Sequence, residues 1–152
     1  MFFTLGYEGL SLDTFIDILH ANKIECLVDV RQNPFSRKAG FSKSSLATRI
    51  ESEQIQYRHI AALGCPRAVR DQYKADNDWS RYTRDFSSYI ESQDEVLQTL
   101  LQEEQRSCLM CFEANGLFCH RSLITKRLRQ LAGTTEVVHL TAASIVPHRV
   151  LV

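Results

Sequence analysis

The sequence lacks an excess of charge, because its 18 basic and 18 acidic residues cancel. No global field therefore draws the chain to nucleic acid, whose partners usually present a broad basic face. It also lacks an apolar run of about 18 residues, so we expect no membrane-spanning helix. The first residues have neither the basic segment nor the long apolar stretch of a signal peptide. We therefore expect a cytoplasmic protein.

Several short motifs of known chemistry are missing as well. Neither the phosphate loop G-x-x-x-x-G-K-[ST] nor the dinucleotide fingerprint G-x-G-x-x-G occurs, and no local signature of a Ser-His-Asp triad is seen. The five cysteines form an odd set, which argues against a disulfide framework and for reduced thiols. Cys108 and Cys111 have C-x-x-C spacing but fall in one predicted strand, where alternation places them on opposite faces. We interpret that pair as core.

The 152 residues, 44% of them hydrophobic, suffice for a single domain with a real core. Apolar runs bounded by turn residues predict strands at FFTLG, ECLVDVR, IQYRHI, CLMCFE and EVVHL. Helical patterns fall between them, and IVPHRVLV forms a tail. Strand alternating with helix predicts one layered α/β domain over residues 1–152. It would have a Rossmann-like, mostly parallel sheet of about five strands flanked by helices.

Helix ends are marked in the sequence. Ser11 is expected to cap the first helix, and Gly133 to stop the helix that begins at Cys119. Ser92 and Glu95 have the spacing of a capping box, which predicts a helix over 92–105. The stretch 61–78 is expected to be a loop and a short helix.

Polar residues lie at the ends of the predicted strands or just after them, and in a parallel sheet all such positions meet at the carboxyl edge, where ligands bind. They are Tyr7, Glu8 and Gly9 after the first strand, Asp29 and Arg31 after the second, Arg58 and His59 after the third, and Glu113, Cys119, His120 and Arg121 after the fourth. Asp29 and Arg31 lie two residues apart on one strand face, so we expect them to touch. The sequence therefore predicts a site at this edge.

Cys119 is predicted at a helix N-terminus, where unpaired N–H groups and the helix dipole favour an anion and lower a thiol pKa. Three alternatives stay open. The thiol is an ordinary core residue; or the helix end and Arg121 hold a phosphate or carboxylate; or Glu113, Cys119 and His120, with His59, bind zinc or iron. No paired ligand spacing supports a metal, so we assign no metal ligand and name no cofactor.

Charge is distributed unevenly along the chain. Segments 31–50 and 114–135 carry bases and no acid, whereas segment 91–105 carries five acids and no base. Either these are solvated faces, or the two basic segments meet and face an anionic ligand. Tyr7, Trp79 and Tyr82 are interpreted as core or rim residues rather than as a base-stacking surface.

The motifs GYEG, LVDVR, PFSRKAGFSK, LGCP, CFEANGLFCHRSLI and the terminal PHR, taken in this order, resemble the domain-of-unknown-function 488 family. The resemblance runs from Gly6 to about Arg149 and implies a single α/β domain without a transferable activity. It marks as typical Gly6, Tyr7, Glu8, Gly9, Asp29, Arg31, Pro34, Ser36, Arg37, Lys38, Phe41, Glu113, Cys119, His120 and Arg121. Cys65 stands where similar sequences often have Asn or Gly.

We expect an enzyme acting on an anionic, phosphate-bearing substrate such as a nucleotide or nucleic acid. Glu113 or His120 would be the general acid or base, and Cys119 the nucleophile or an anion-positioning group. The other expected binding residues are Tyr7, Glu8, Asp29, Arg31, Arg37, Lys38 and Arg121. A non-catalytic nucleic-acid or nucleotide-binding module and a metal- or thiol-dependent enzyme, including a sulfur-transfer enzyme, are the alternatives.

Overall fold

The computed structural model describes residues 1–145, except for the side chain of Phe118. The strands are β1 (Phe2–Gly6), β2 (Cys26–Asp29), β3 (Gln56–His59), β4 (Ser107–Cys111) and β5 (Val137–His139). The helices are α1 (Leu12–Ala21), α2 (Lys43–Ser52), α3 (Arg67–Asp76), α4 (Trp79–Glu91), α5 (Asp94–Gln102) and α6 (His120–Ala132). No helix in this part of the chain is long and apolar enough to cross a membrane. The predicted tail lies outside the described residues from position 146 onward, and so does the terminal PHR motif.

The five strands form one sheet in the order β3-β2-β4-β1-β5, and each neighbouring pair is parallel. This confirms the predicted layered α/β class with a parallel sheet flanked by helices. The order differs from the 3-2-1-4-5-6 order of dinucleotide-binding domains, because β4 lies between β2 and β1. The carboxyl ends of β2, β4 and β1 are consequently side by side at the centre of the sheet.

The central strands are buried on both faces, which explains their continuous apolar sequences. Two hydrophobic clusters cover the sheet, one on each side. Cys108 belongs to one cluster and Cys111 to the other, as their spacing of three in a strand requires. The prediction that both are buried and on opposite faces is confirmed.

The predicted helix ends are confirmed in two cases and wrong in one. The Ser11 side chain accepts a hydrogen bond from the backbone N–H of Thr14, and Gly133 ends α6 with a φ of +77°. The Ser92–Glu95 capping box does not form. Ser92 instead ends α4 and donates its hydroxyl to the carbonyl of Tyr89, so α5 begins only at Asp94 without a side-chain cap.

Candidate active site

The loops after β1, β2 and β4 meet at the carboxyl edge, as the sequence predicts. Tyr7, Arg31 and Glu113, one from each loop, line the same cavity of about 500 Å³. Arg121 lies directly behind it and donates a hydrogen bond of 2.6 Å from Nη2 to the carbonyl oxygen of Glu113. These three loops therefore converge as predicted, but Arg58 of β3 does not join them, because its Nη1 atom pairs with Glu103 beside another cavity.

Gly6 permits the loop after β4 to approach the end of β1. A Cβ atom at this position would lie 1.7 Å from the carbonyl oxygen of Glu113, which no side chain tolerates. Glu8 fixes the same loop, since its Oε1 accepts a hydrogen bond of 3.0 Å from the backbone N–H of Ala114. Gly6 and Glu8 thus position the loop that carries Glu113.

Asp29 and Arg31 form the ion pair that their spacing predicts. The Arg31 Nε and Nη2 atoms donate to the two carboxylate oxygens of Asp29 at 2.8 and 2.7 Å. Arg31 Nη1 donates to the Tyr7 hydroxyl and to the carbonyl of Phe41. Four of the five guanidinium N–H groups are thereby engaged. Burial opposes the charge of Arg31, but Asp29 and Tyr7 outweigh it and raise its pKa.

Cys119 is the N-cap of α6, and its thiol faces two of its sequence neighbours. The Sγ atom accepts a hydrogen bond of 3.5 Å from the backbone N–H of Arg121 and lies 3.5 Å from Nδ1 of His120. The other ring nitrogen of His120 is 3.0 Å from the carbonyl oxygen of Val30, to which it donates. Phe86 packs edge-to-face on the imidazole and fixes its orientation. The Nδ1 atom is therefore directed at the thiol.

The charges around Cys119 favour its thiolate. Burial opposes ionisation, but the hydrogen bond from Cys111 and the positive charges of His120 and Arg121 outweigh it and hold the pKa of Cys119 well below its usual value. Burial also lowers the pKa of His120, and the adjacent Cys119 more than offsets this, so that the pKa is raised. Both shifts favour a thiolate at Cys119 beside an imidazolium at His120.

Arg121 is a fully buried cation, with none of its side chain exposed. Its Nη1 donates to the Thr4 hydroxyl, while its Nε is buried without a hydrogen-bond partner among residues 1–145. Over the same residues no carboxylate forms an ion pair with it. A buried guanidinium needs a counter-charge. Burial opposes the charge of Arg121, but Cys111 and Cys119 outweigh it and raise its pKa, so a thiolate in this cysteine pair would be the counter-charge.

Cys111, at the end of β4, is the partner that the sequence analysis missed. Its Sγ atom lies 2.8 Å from the Sγ atom of Cys119, and Glu113 Oε2 lies 3.2 and 3.3 Å from the two sulfurs. Burial and the neighbouring Cys119 raise the pKa of Cys111 well above its usual value, so it keeps its proton. Desolvation and Cys119 also raise the pKa of Glu113, although the residue is exposed overall.

The same residues form a set that zinc accepts. Ligand atoms of Cys111, Glu113, Cys119 and His120 all lie within 4.8 Å of one another. In a tetrahedral zinc site with bonds of about 2.3 Å, two sulfurs are about 3.7 Å apart, so this pair would have to separate by roughly 1 Å. His59, considered above as a ligand, instead has Nε2 2.8 Å from the carbonyl oxygen of Arg31.

One wall of the cavity is formed by aromatic residues of α3 and α4 and by two cations of α3. Tyr73, Trp79 and Tyr82 line it together with Arg70 and Lys74. The rings of Trp79 and Tyr82 stack at 4.9 Å; Tyr82 is buried in the core and Trp79 is partly buried at the cavity, as the interpretation of both as core or rim residues predicts. The signal available was the spacing of Arg70, Tyr73 and Lys74, which puts them on one helix face.

Other predicted binding residues lie beside this cavity rather than on its surface. Glu8 lines a second cavity near β5, and Asp29 is buried beneath Arg31. Lys38 Nζ donates to the carbonyl of Tyr7, and Arg37 is an exposed residue of the loop that contributes Phe35 to the rim.

The two basic segments do not both face the cavity. Lys126 and Arg129 are exposed, and the Nε and Nη2 atoms of Arg127 donate to Asp94 at 2.9 and 2.6 Å. Asp94 of the acidic segment 91–105 thus neutralises Arg127 of the basic segment 114–135. Only Arg121 from that segment approaches the site.

The site consists of a buried cysteine at a helix N-terminus, flanked by a histidine and a buried arginine, beside a cavity at the sheet edge. These features define a class of layered α/β protein with a thiol-centred candidate site. The chain belongs to the family described as "Domain of unknown function DUF488", whose model matches residues 11–128. The searches of curated proteins and of solved structures gave no match.

Proposed function

We propose that the protein is an enzyme in which the Cys119 thiolate attacks an anionic, phosphate-bearing substrate, a nucleotide or a nucleotide unit of nucleic acid. The single observation that carries this proposal is the position of Cys119. Its sulfur caps α6, contacts the His120 ring nitrogen and lines the cavity. A thiolate with a depressed pKa that opens onto a cleft is the arrangement of a cysteine nucleophile.

The walls of the cavity support a substrate with a planar ring and a phosphate. Trp79 is partly buried at the cavity and is supported from below by the stacked, buried ring of Tyr82; ring stacking on an aromatic side chain of this kind favours a nucleobase. Arg70 and Lys74 lie one helical turn apart on α3, and Arg70 Nε is buried without a hydrogen-bond partner in the described chain. The guanidinium group of Arg70 and the ammonium group of Lys74, both on residues that line the cavity, suit a phosphate.

The roles follow from contacts around the sulfur. As the bond from Cys119 Sγ to the electrophilic centre forms and the bond to the leaving group breaks, the imidazolium of His120 donates its Nδ1 proton to the leaving group. Glu113, whose carboxylate lies 3.3 Å from the sulfur, would deprotonate the water that then releases the product and restores the thiolate. Arg121 is a positioning residue, because it holds the Glu113 carbonyl and stabilises the thiolate charge.

The test is a thermal-shift screen of nucleotides, phosphosugars and oligonucleotides, followed by mass spectrometry of the protein with each stabilising compound. Wild-type protein is expected to turn over one of these compounds and to form a transient adduct on Cys119. Cys119→Ser should bind the compound without turnover. Cys108→Ser, which changes a thiol on the other face of the sheet, is the matched control. Equal turnover in wild-type and Cys119→Ser proteins would contradict the proposal.

Two other functions compete for the same residues. A non-catalytic binding module would keep its function in a Glu113→Gln, Cys119→Ser double variant and would bind with a steep salt dependence. A metal-dependent enzyme is favoured by the compact set of Cys111, Glu113, Cys119 and His120. Elemental analysis of the purified protein separates it from the thiolate mechanism, because a stoichiometric metal ion would occupy the nucleophile.

A further inference from the structure

The two closest sulfur atoms at the site belong to different elements and face each other. Cys111 ends β4 and Cys119 caps α6, and a short loop with one 3₁₀ turn connects them. Their Sγ atoms are 2.8 Å apart, within about 1 Å of the disulfide bond length of ~2.05 Å. The other three cysteines, Cys26, Cys65 and Cys108, are buried without a sulfur contact of this kind in the described residues.

We infer that Cys111 and Cys119 form a reversible disulfide when a hydroperoxide enters the cavity, and that this modification switches off the Cys119 nucleophile. As regulation of that site, the inference rests on the proposed function. Both cysteines are among the residues that line the cavity, so a small oxidant would approach them through the same opening as the substrate. Short-lived disulfides of this kind are typical of redox sensing, whereas structural ones stabilise secreted proteins.

The chemistry proceeds in two balanced steps. The Cys119 thiolate attacks the terminal oxygen of the hydroperoxide, so that an S–O bond forms and the O–O bond breaks. The alkoxide or hydroxide that leaves takes a proton from His120, and Cys119 becomes a sulfenic acid. The Cys111 sulfur then attacks the sulfenic sulfur, forming the S–S bond and breaking the S–O bond, and its thiol proton leaves with the hydroxyl as water. Two thiols are oxidised by two electrons, and one hydroperoxide is reduced to an alcohol or water.

The neighbours of the pair support both steps. Cys119 is the better nucleophile, since the backbone N–H of Arg121 and the ring of His120 stabilise its anion. Cys111 keeps its proton until the second step, when the Glu113 carboxylate, 3.2 Å from its sulfur, is placed to relay that proton to the departing hydroxyl. The sulfenic acid therefore forms beside its resolving thiol, and further oxidation to sulfinic acid is prevented.

The experiment treats the full-length protein with hydrogen peroxide, blocks free thiols, and cleaves after arginine and glutamate without reduction. Cleavage after Arg106, Glu113 and Arg121 separates Cys108 and Cys111 from Cys119. Wild-type protein is expected to yield these two peptides joined, with a loss of two hydrogens in mass, and dithiothreitol should separate them. The joined peptides should persist in Cys108→Ser and be absent in Cys111→Ser. Cys111→Ala serves as a second variant if the serine destabilises the fold.

In Cys111→Ser, peroxide is expected to drive Cys119 to the sulfinic acid, which dithiothreitol does not reverse. Sulfinic acid on Cys119 of the wild-type protein without joined peptides would overturn the inference. So would a stoichiometric metal ion that keeps both thiols from oxidising. The peptide measurement needs no substrate, so it stands even if no turnover is found. Turnover that peroxide abolishes without joining the peptides would leave the proposed function intact and reject the disulfide.

Discussion

At the scale of single residues, the site depends on a buried charge. Arg121 is a long cation that packs beneath the sheet edge with hydroxyl and carbonyl partners and no carboxylate among residues 1–145. A thiolate at Cys119 would offset the buried charge of Arg121. The hydrogen bond from Cys111, the charges of His120 and Arg121 and the helix end all favour that thiolate. The cation and the thiolate are therefore mutually dependent.

Replacing Arg121 tests that dependence. Arg121→Met keeps the side-chain bulk and removes the charge, so the pKa of Cys119 should rise toward that of an ordinary thiol. Alkylation of Cys119 at neutral pH should slow accordingly. The lost hydrogen bonds to Thr4 and the Glu113 carbonyl should lower the free energy of unfolding by about 1–3 kcal/mol.

Arg127→Met, on the solvent side of the same helix, is the control and should leave the thiol unchanged. An Arg121→Met protein with an unaltered alkylation profile would refute the assigned role of the guanidinium.

Gly6 gives a second prediction at this scale. Gly6→Ala places a Cβ 1.7 Å from the Glu113 carbonyl, so the loop has to move. We expect a loss of about 1–3 kcal/mol in the free energy of unfolding and a changed alkylation rate at Cys119. Gly9→Ala is the comparison, because its φ of +77° strains alanine although no atom lies within 4 Å. Gly9→Ala should lower the free energy of unfolding without changing the alkylation rate of Cys119. The same alkylation rate in both variants would show that Gly6 does not position the loop that carries Glu113.

At the scale of elements, α3 is weakly anchored, and it carries the cations proposed to bind the ligand. It has no fully buried residue, and Tyr73 connects it to α4 through ring contacts of 5.9 Å with Trp79 and 5.1 Å with Tyr82. By contrast, α6 is fixed by its buried face and by the partly exposed Arg127–Asp94 ion pair, which is worth at most about 1 kcal/mol. The well-anchored helix α6 thus carries Cys119 at its start, and the less anchored helix α3 carries Arg70 and Lys74.

Because the cations of α3 line the cavity, we predict that they bind the ligand. Arg70→Ala and Lys74→Ala should each weaken binding of a stabilising nucleotide by about tenfold, since each removes a charged donor at the cavity. Lys126→Ala removes the same charge from the exposed face of α6 and should leave affinity unchanged. Titration calorimetry at two salt concentrations measures both effects. Equal losses from Lys74→Ala and Lys126→Ala would indicate a general electrostatic effect and not a phosphate site.

At the scale of the whole molecule, the sheet is what the sequence predicts best. Buried strands of a parallel sheet are apolar throughout, so the ends of β1, β2 and β4 were recognisable, and a parallel sheet must gather those ends at one edge. The strand order was not predictable, because the insertion of β4 between β2 and β1 depends on contacts distant in sequence. The fold class thus follows from local patterns, and the topology does not.

The site was predictable to the same extent. Strand ends identified Tyr7, Arg31, Glu113, Cys119 and His120, all of which line the cavity. Cys111 was correctly placed in the core, but its contact with Cys119 depends on how the loop returns to the sheet. The wall from α3 and α4 depends on the docking of two helices, which no local pattern specifies.

The most direct test of the central claim is the pH dependence of Cys119 alkylation by iodoacetamide, followed by mass spectrometry of the peptide that contains it. A lowered pKa means that the thiolate is present at neutral pH and is lost only as the pH falls through that pKa. We predict a midpoint well below the ordinary thiol value of about 8.5, with Cys108 unreactive in the folded protein. A midpoint at or above about 8.5 would show that Cys119 is a protonated core thiol, and the proposed nucleophile would have to be abandoned.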